Sequence, residues 1–279
     1  MQKSTSTPLP AGYYATKNTE PVDADLRSHF QTVIGSLLYL MLGTRPDIAF
    51  AVTHLSRHAA NPSQDHLNKA LYICHYLIGT STYSLVYNGG SGAGLIACTD
   101  SDWGSDPTSR LSQTGFYLKL ADGLISWTSR AQKTIVYSST EAEYMALSDC
   151  ARQVTWIQSL LSELGYKLKA IPICGDNQGS IFMASDPVTE PHSKHIDTHY
   201  HGIRKSVAKG NVELFFIDGA ENPADLLTKN LPCKKFAKFR AQLSYPYFSQ
   251  SQLRSNLGPP DLSLGIDATP DLVRPSPAP

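Results

Sequence analysis

Apolar residues recur at helical spacing in the first part of the chain and predict a small helical segment there. Pro46 lies where a proline commonly opens a helix, and Asn61-Pro62-Ser63 separates two of the predicted helices. The predicted helices cover Phe30–Leu42, Asp47–Arg57 and Gln64–Ile78. We expect their apolar faces either to pack on the rest of the protein or to leave an exposed apolar patch.

Short apolar runs bounded by turn residues replace this pattern after residue 95 and predict strands. The strands cover Leu95–Asp100, Gly115–Leu120, Leu124–Thr128, Ile171–Cys174 and Val212–Ile217. Further helices are predicted at residues 141–164, 177–184 and 194–209 and from Asn222-Pro223. The order β-β-β-α-β-α-α-β-α predicts a mixed α/β layer domain of roughly 140 residues.

The two ends of the chain lack such periodicity. Residues 1–28 are predicted to be a disordered or extended segment, and residues 249–279, with six prolines and no aromatic residue, a disordered tail. The glycine-rich stretch Asn88–Gly94 is interpreted as a flexible linker. The organisation predicted between the ends is a helical connection over 29–90, an α/β domain over 91–232 and a basic amphipathic segment over 233–248.

Composition and charge narrow the class of protein. Apolar residues make up 41% of the chain and charged residues 17%, which excludes a disordered polyelectrolyte. Lys and Arg total 24, as do Asp and Glu, so a nucleic-acid partner would need local basic patches. The most apolar stretch, Val33–Gly43, is too short to span a bilayer. Five dispersed cysteines without a Cys-x-x-Cys pair indicate an intracellular, non-secreted protein.

Four carboxylates fall at the ends of predicted elements. Asp100 ends the first strand, and Asp176 follows the fourth. Glu143 lies in the first turn of the long helix, and Asp225 in the first turn of the last helix. Acids that repel one another in a shared pocket are expected where the pocket holds hard divalent cations, and Mg²⁺ prefers such oxygen ligands. Two such ions can support the hydrolysis of a phosphodiester.

Glu143 has both a functional and a structural interpretation. It lies four residues before Leu147, at the start of the buried stripe of the long helix, and therefore on the face directed to the sheet. Ser138 and Glu141 form a capping-box pattern, which favours a structural role for Glu141. Because Thr140 lies three residues before Glu143, a capping role for Glu143 stays open as well.

The other acids have alternatives too. Asp102 lies on the same face of an extended strand as Asp100, so either could be the working acid. Asp176 is also in a position to cap the following helix. Asp225 is also in a position to stabilise the first turn of its helix through the helix dipole.

Seven stretches of the sequence together resemble the end of the polyprotein of copia-type retrotransposons. CTDSDWGSD, TGFYLKLADGLISWTSRAQKTIVYSSTEAEYMAL, CGDNQGSI, KHIDTHYHGIR and NPADLLTK resemble its ribonuclease H domain. The upstream stretches TPLPAGYY and IGSLLYLMLGTRPDIAFAVTHLSRHAANPSQDH resemble the tail of the reverse transcriptase that precedes this domain. The motifs occur in collinear order and cover about residues 7–248.

The resemblance implies a ribonuclease H-like fold, with a five-stranded mixed sheet flanked by helices, preceded by a small helical segment from the reverse transcriptase. It implies cleavage of the RNA strand of RNA–DNA hybrids with two Mg²⁺ ions, or Mn²⁺ as a substitute, and no small-molecule cofactor. Asp100 would bridge both ions, Glu143 and Asp176 would hold one, and Asp225 the other. The implied partners are the hybrid and the remainder of the polyprotein, in the cytoplasm within a virus-like particle or in the nucleus.

Basic and polar residues close to these motifs are candidates for nucleic-acid contacts. Residues 192–240 contain nine Lys and Arg against five Asp and Glu. A solvated helix face is an equal alternative for the lysines after residue 228, core packing is an alternative to base stacking for Trp103 and Trp127, and metal binding is an alternative for the histidines within 192–201. The candidates are Arg130, Lys133, Asn177, Gln178, Lys194, His195, Lys229, Lys234 and Lys235.

Two departures from the family pattern limit the function. The loop Asp218–Asn222 contains no histidine, where many ribonucleases H have one before the last acid. The chain also has no Asp-Asp pair of the kind that reverse transcription requires, so we expect no polymerase activity. The chain is therefore expected to be a piece of a longer polyprotein. A catalytically inactive remnant that binds nucleic acid or a partner is the alternative.

Overall fold

The structure is a computed structural model that describes residues 5–87, 94–166, 168–185 and 202–244. Its helices are α1 Ala24–Gly43, α2 Ala49–Ser56, α3 Gln64–Gly79, α4 Ser139–Glu163, α5 Gln178–Ser185, α6 Gly202–Ala208 and α7 Cys233–Ser244. Its strands are β1 Leu95–Asp102, β2 Gln113–Leu120, β3 Gly123–Ala131, β4 Ile171–Gly175 and β5 Val212–Phe216. Short 3₁₀ helices cover Pro46–Ile48 and Pro223–Leu227.

The five strands form one mixed sheet in the order β3-β2-β1-β4-β5. β1 pairs antiparallel with β2, which pairs antiparallel with β3, whereas β4 runs parallel to both β1 and β5. The β2–β3 hairpin turns at Ala121 and Asp122, whose φ angles of 49° and 63° are those of a tight two-residue turn. This topology, with helices on both faces, confirms the ribonuclease H-like fold that the motifs implied.

Alternation along the strands divides the core into two layers. Leu95 and Ala97 of β1 pack with Leu147 and Val154 of α4 on one face of the sheet. Cys98, one residue away, belongs to the cluster on the opposite face. That second cluster joins the sheet to α1, α2, α3, the 3₁₀ helix Pro223–Leu227 and α7. The acid-bearing end of β1 therefore lies between two packed layers.

The helical segment shares a core with the sheet. The hydroxyls of Thr53 in α2 and Ser129 in β3 lie 3.1 Å apart, and Trp127 Nε1 donates to the carbonyl of Met41 at 2.9 Å. The helical segment thus packs on the α/β domain. Part of the apolar surface is nevertheless exposed, since Tyr39 is 80% exposed and Leu42 69%.

Residues 5–23 form neither a helix nor a strand, and they pack on the helical segment, so the disordered alternative predicted for 1–28 does not apply to them. In the described part, Leu9 and Ala15 are buried, and the amide of Ala15 donates to His54 Nε2 at 2.9 Å. Helix α1 begins at Ala24, because the Asp23 carboxylate accepts from the first backbone amides of the helix. Single apolar residues in an extended chain produce no periodic signal, and for that reason the sequence did not reveal their burial.

Several predicted features lie wholly or partly outside the described residues. The histidine cluster 192–201, most of the linker Asn88–Gly94 and the tail 249–279 are outside the described ranges. Of the helix predicted over 194–209, only α6 can be described. Within the described part of the chain, no helix combines the length and apolarity needed to cross a membrane.

Three histidines pack together between the N-terminal residues, α2 and α3. The rings of His58 and His66 stack at 4.2 Å, and His54 meets His58 edge-on at 6.5 Å. Burial lowers the pKa of His54 and of His58 to about 4, and the neighbouring Arg57 and histidine charges act in the same direction. The fold therefore favours the neutral imidazoles.

This cluster predicts a pH dependence of stability. In the unfolded state these histidines bind protons near their ordinary pKa of 6.5, whereas in the folded state they do so only near pH 4. Their contribution to the free energy of unfolding is therefore complete above pH 6.5 and is lost progressively as the pH falls to about 4. Urea denaturation at pH 7.5 and pH 5 should show that His58→Gln reduces the loss on acidification. His29→Gln is the control, because it removes an exposed histidine and leaves the buried cluster intact. An equal pH effect in wild type and His58→Gln would contradict the prediction.

Candidate active site

Carboxylates from three distant parts of the sequence meet at one end of the sheet. Asp100 lies near the end of β1, Asp176 directly follows β4, and Asp225 lies in the 3₁₀ helix Pro223–Leu227. One carboxylate oxygen from each lies within 4.8 Å of the others. Asp100 and Asp225 are almost completely buried, whereas Asp176 is half-buried. The predicted convergence of these acids is present in the structure.

Glu143, from α4, lies beside this group. It is 6% exposed, and its Oε1 accepts from the backbone amide of Ser101 at 3.0 Å. The cap of α4 is made by other residues, since Ser138 Oγ accepts from the amide of Glu141, and Glu141 accepts from the amide of Tyr137. The capping role that the sequence left open for Glu143 is therefore wrong.

The structure also excludes a capping role for Asp176. The amide of Ser180 in the first turn of α5 donates to Asn177 Oδ1 at 2.8 Å, so Asn177 is the cap. Asp176 faces the loop before the last acid instead. A Cβ on Gly219 would lie 2.8 Å from Asp176 Oδ2, which shows how closely the backbone of that loop approaches the carboxylate.

The segment that contains Asp225 is bound to β1 by side-chain hydrogen bonds. Asn222 caps the 3₁₀ helix by accepting from the amide of Ala224, and its Nδ2 donates to the carbonyl of Thr99 at 2.9 Å. Thr228 Oγ1 donates to Asp100 Oδ2. These bonds hold the last acid against the first, although the two are far apart in the sequence.

Two lysines bind Asp225 directly. Lys229 Nζ lies 2.7 Å from Asp225 Oδ1 and 3.4 Å from Asp100 Oδ2. Lys235 Nζ, from α7, lies 2.5 Å from Asp225 Oδ2. The dipole interpretation of Asp225 is thus insufficient, because both of its carboxylate oxygens accept from ammonium groups.

Burial dominates the electrostatics of the cluster. It raises the pKa of Asp100 to about 7, with Lys229 acting against it and Asp225 and Asp176 acting with it. Burial and the charges of Asp100 and Asp176 raise the pKa of Glu143 well above its ordinary value. Burial alone would lower the pKa of Lys229, but the charges of Asp100 and Asp225 outweigh it and raise that pKa. Added positive charge would therefore stabilise the ionised acids.

Asp102, the second candidate on β1, lies at the rim of the cluster. Burial raises its pKa, while Lys229 and a hydrogen bond with Ser105 oppose the shift. It is partly exposed, and it does not belong to the group of carboxylates that lie within ligand distance among the described residues. The structure thus favours Asp100 over Asp102 as the central acid.

The candidates for nucleic-acid contact fall into separate groups. Arg130 and Arg152 both pair with the buried Asp149 and remain about half-exposed, and Lys133 is exposed in the loop before α4. Lys234 and Gln178 are exposed, whereas Asn177 caps α5. Lys194 and His195 lie outside the described residues.

Structural contacts occupy other members of the predicted basic and aromatic sets. Arg240 lies 4.1 Å from the Tyr83 ring centroid and donates to the hydroxyl of Tyr76, and Lys238 pairs with Glu221. The indole of Trp127 donates to a backbone carbonyl in α1, which favours packing over base stacking. Trp103 is 46% exposed, and its indole donates to the carbonyl of Val136.

Sequence reasoning missed the groups that organise the acids. The four-residue spacing of Asp225 and Lys229 is typical of helical ion pairs and could have indicated their contact. Lys235 and Thr228 carried no comparable signal. Lys235 reaches Asp225 because α7 packs on the 3₁₀ helix, and Thr228 reaches Asp100 because that helix packs on β1 and β2. Gln132 was also missed, and its amide donates to Ser101, Thr114 and Ala142.

The strand order and the acid cluster define a ribonuclease H-like domain preceded by a helical segment. No family model matches the chain. The chain is 36% identical over 239 residues to the "Retrovirus-related Pol polyprotein from transposon TNT 1-94" of Nicotiana tabacum, which covers 84% of this chain and 18% of that protein. It is 36% identical over 233 residues to the corresponding polyprotein from transposon RE1 of Arabidopsis thaliana, covering 83% of this chain and 15% of that protein.

The chain belongs to the copia-type retrotransposon Pol polyproteins, and it spans less than a fifth of the length of these two relatives. It is also 40% identical over 128 residues to a protein named "Secreted RxLR effector protein 161" of Plasmopara viticola, covering 46% of this chain and 90% of that protein. Among solved structures, it is similar to RNase H1 of Halobacterium salinarum with a TM-score of 0.35 and 16% identity, covering 49% of this chain and 95% of that one.

Gly115 provides a test of how the last acid is held. It pairs with Asp100, and a Cβ there would lie 2.6 Å from Thr228 Cγ2 and 2.8 Å from Leu227 Cβ. Gly115→Ala should therefore displace the 3₁₀ helix and lower the free energy of unfolding by about 1–3 kcal/mol, measured by urea denaturation. Gly35→Ala, where nothing lies within 4 Å, is the control and should not be destabilising. Equal stability of the Gly115 variant and wild type would contradict this packing constraint.

Proposed function

We propose that this chain supplies the ribonuclease H activity of a retrotransposon Pol polyprotein, the divalent-cation-dependent hydrolysis of the RNA strand of RNA–DNA hybrids. The observation that carries the proposal is the meeting of Asp100, Asp176 and Asp225 within 4.8 Å, with Glu143 bonded to the adjacent Ser101. Membership in the Pol family supports it, because hybrids are the intermediates on which such a nuclease acts.

The donor set fits a hard divalent cation. The clustered ligands are all carboxylate oxygens, they are held by hydrogen bonds from neighbouring segments, and burial raises the pKa of Asp100, Glu143 and Asp176. We therefore assign Mg²⁺, with Mn²⁺ as a substitute. When bound, such a cation stabilises negative charge on the phosphodiester and eases the deprotonation of water.

Residues of the chain would position the acids for this reaction. The amide of Ser101 fixes Glu143, and Thr228 fixes one oxygen of Asp100. The loop at Gly219 covers one side of Asp176. Asp176 is the most exposed of the four acids, so we place the approach of the scissile phosphate on its side.

Exposed basic groups support a phosphate-rich substrate. Asp149 fixes Arg130 and Arg152 side by side at the surface, and Lys133 lies between Arg130 and α4 in the sequence. We propose that these groups contact the backbone of the hybrid and that Lys234 adds a further contact from α7. Salt should therefore weaken the binding of hybrid.

We propose the rest of the polyprotein as the second partner. Tyr39, Leu42 and Ile78 on the helical segment are between 64% and 80% exposed. Exposed large apolar side chains of this kind are typical of a surface that binds another protein segment. We also propose an intracellular location, since all five cysteines are free.

One observation favours the alternative of an inactive remnant that only binds nucleic acid. Lysines bind both oxygens of Asp225, so their positive charges oppose the binding of a cation to this acid. A binding protein of this kind would retain hybrid affinity with a salt dependence set by its phosphate contacts, and it would show no cleavage.

The proposed activity predicts cation-dependent cleavage of a labelled RNA–DNA hybrid by the purified chain. Asp176→Asn should reduce the rate by about a hundredfold or more, because it removes a charged ligand of the cation. Asp122→Asn, in the β2–β3 turn, is the matched control and should retain activity, since asparagine tolerates the positive φ there. Equal cleavage by wild type and Asp176→Asn, or no cleavage by wild type with Mg²⁺, would contradict the proposal.

A further inference from the structure

A lysine ammonium group lies inside the acid cluster. Lys229 Nζ is 2.7 Å from Asp225 Oδ1 and 3.4–3.5 Å from both oxygens of Asp100. It bridges the same two carboxylates that the family pattern assigns to one of the two cations. Its side chain is about one-third exposed, so its charge acts in a largely dehydrated setting.

The neighbouring structure fixes this ammonium group in place. Lys229 follows the 3₁₀ helix that Asn222 binds to β1, and its own amide donates to the carbonyl of Asp225 at 2.9 Å. Lys235 Nζ binds the other oxygen of Asp225 and lies 5.1 Å from the ring centroid of Phe239, which is completely buried. Asp225 is therefore held between two lysines that come from separate elements.

The charges of the cluster match this arrangement. With a cation bound, Asp100, Glu143, Asp176 and Asp225 would all be ionised and would carry four negative charges. The two ammonium groups of Lys229 and Lys235 compensate two of them. A single divalent cation would balance the remaining two negative charges. A second divalent cation would give the site a net positive charge, and it would have to displace Lys229 from Asp100 and Asp225.

We infer that Lys229 takes the place of one of the two cations, so that the site binds one divalent cation, held by Asp100 and Asp176 with Glu143 beside them. Asp225 then positions Lys229, and Lys235 positions Asp225. This inference rests on the proposed nuclease function and departs from the two-ion arrangement of the family pattern. Lys229 is a positioning and charge-compensating residue in this arrangement.

The number of cations bound to the cluster tests the inference. Mn²⁺ titrated into the purified chain, with free Mn²⁺ counted by its electron paramagnetic resonance signal, gives the number of bound ions. The ions lost in an Asp100→Asn variant are those of the cluster, and Asp176→Asn replaces that variant should it fail to fold. We expect one ion in wild type. Two ions, or none, in wild type would overturn the inference.

Removal of the ammonium group should open the second position. Lys229→Met should bind two Mn²⁺ ions, and its melting temperature should rise more than that of wild type when Mn²⁺ is added. Lys238→Met removes the same charge from the exposed pair with Glu221, and it should bind one ion as wild type does. A Lys229→Met variant that is folded and binds only one ion would overturn the inference.

Hybrid cleavage measured on the same wild-type preparation separates this inference from the proposed function. One bound ion without cleavage would contradict the nuclease function and support the compensating role of Lys229. Cleavage with two ions bound to the cluster would support the nuclease function and overturn the role of Lys229.

Discussion

Buried carboxylates require compensating positive charge or hydrogen bonds, and this requirement determines how the end of the sheet is built. Asp100 and Asp225 are almost completely buried and lie in one cluster with Asp176. The compensation comes from a short stretch after β5, in which Thr228 donates to Asp100 and Lys229 bridges Asp100 and Asp225. The same stretch bonds to Thr99 of β1 through Asn222. The segment that balances the buried charge is therefore also the one that packs against the sheet.

The same stretch connects the nuclease-like domain to the N-terminal residues. Asn230, one residue after Lys229, donates to the backbone carbonyl of Pro10 at 2.5 Å and to that of Tyr13 at 3.3 Å. Leu9 and Leu231 belong to the same buried cluster as the helices α1 to α3. The helical segment is therefore part of the layer that holds the last acid against the sheet, and its role exceeds that of the connection predicted from the sequence.

Sequence reasoning predicted the parts of this structure that have a local signal. Alternation and helical spacing identified the strands and α4 to within a few residues, and the position of Glu143 before Leu147 placed it on the face toward β1. The cap of α5 was assigned to Asp176 as an alternative, although Asn177 makes it, because one-residue shifts of a polar cap have no periodic signature. Burial of Leu9 and the contact of Lys235 with Asp225 depend on chain segments that meet only after folding. Such contacts cannot be obtained from local patterns.

The free energy with which Asp225 and Lys229 stabilise each other tests most directly whether the acid cluster is compensated from within the chain. It is measured by urea denaturation of wild type, Asp225→Asn, Lys229→Met and the double variant, without divalent cations and near neutral pH. Internal compensation predicts a favourable coupling of about 1–3 kcal/mol, so that the double variant is more stable than the sum of the single losses indicates. Losses that simply add would contradict internal compensation by Lys229.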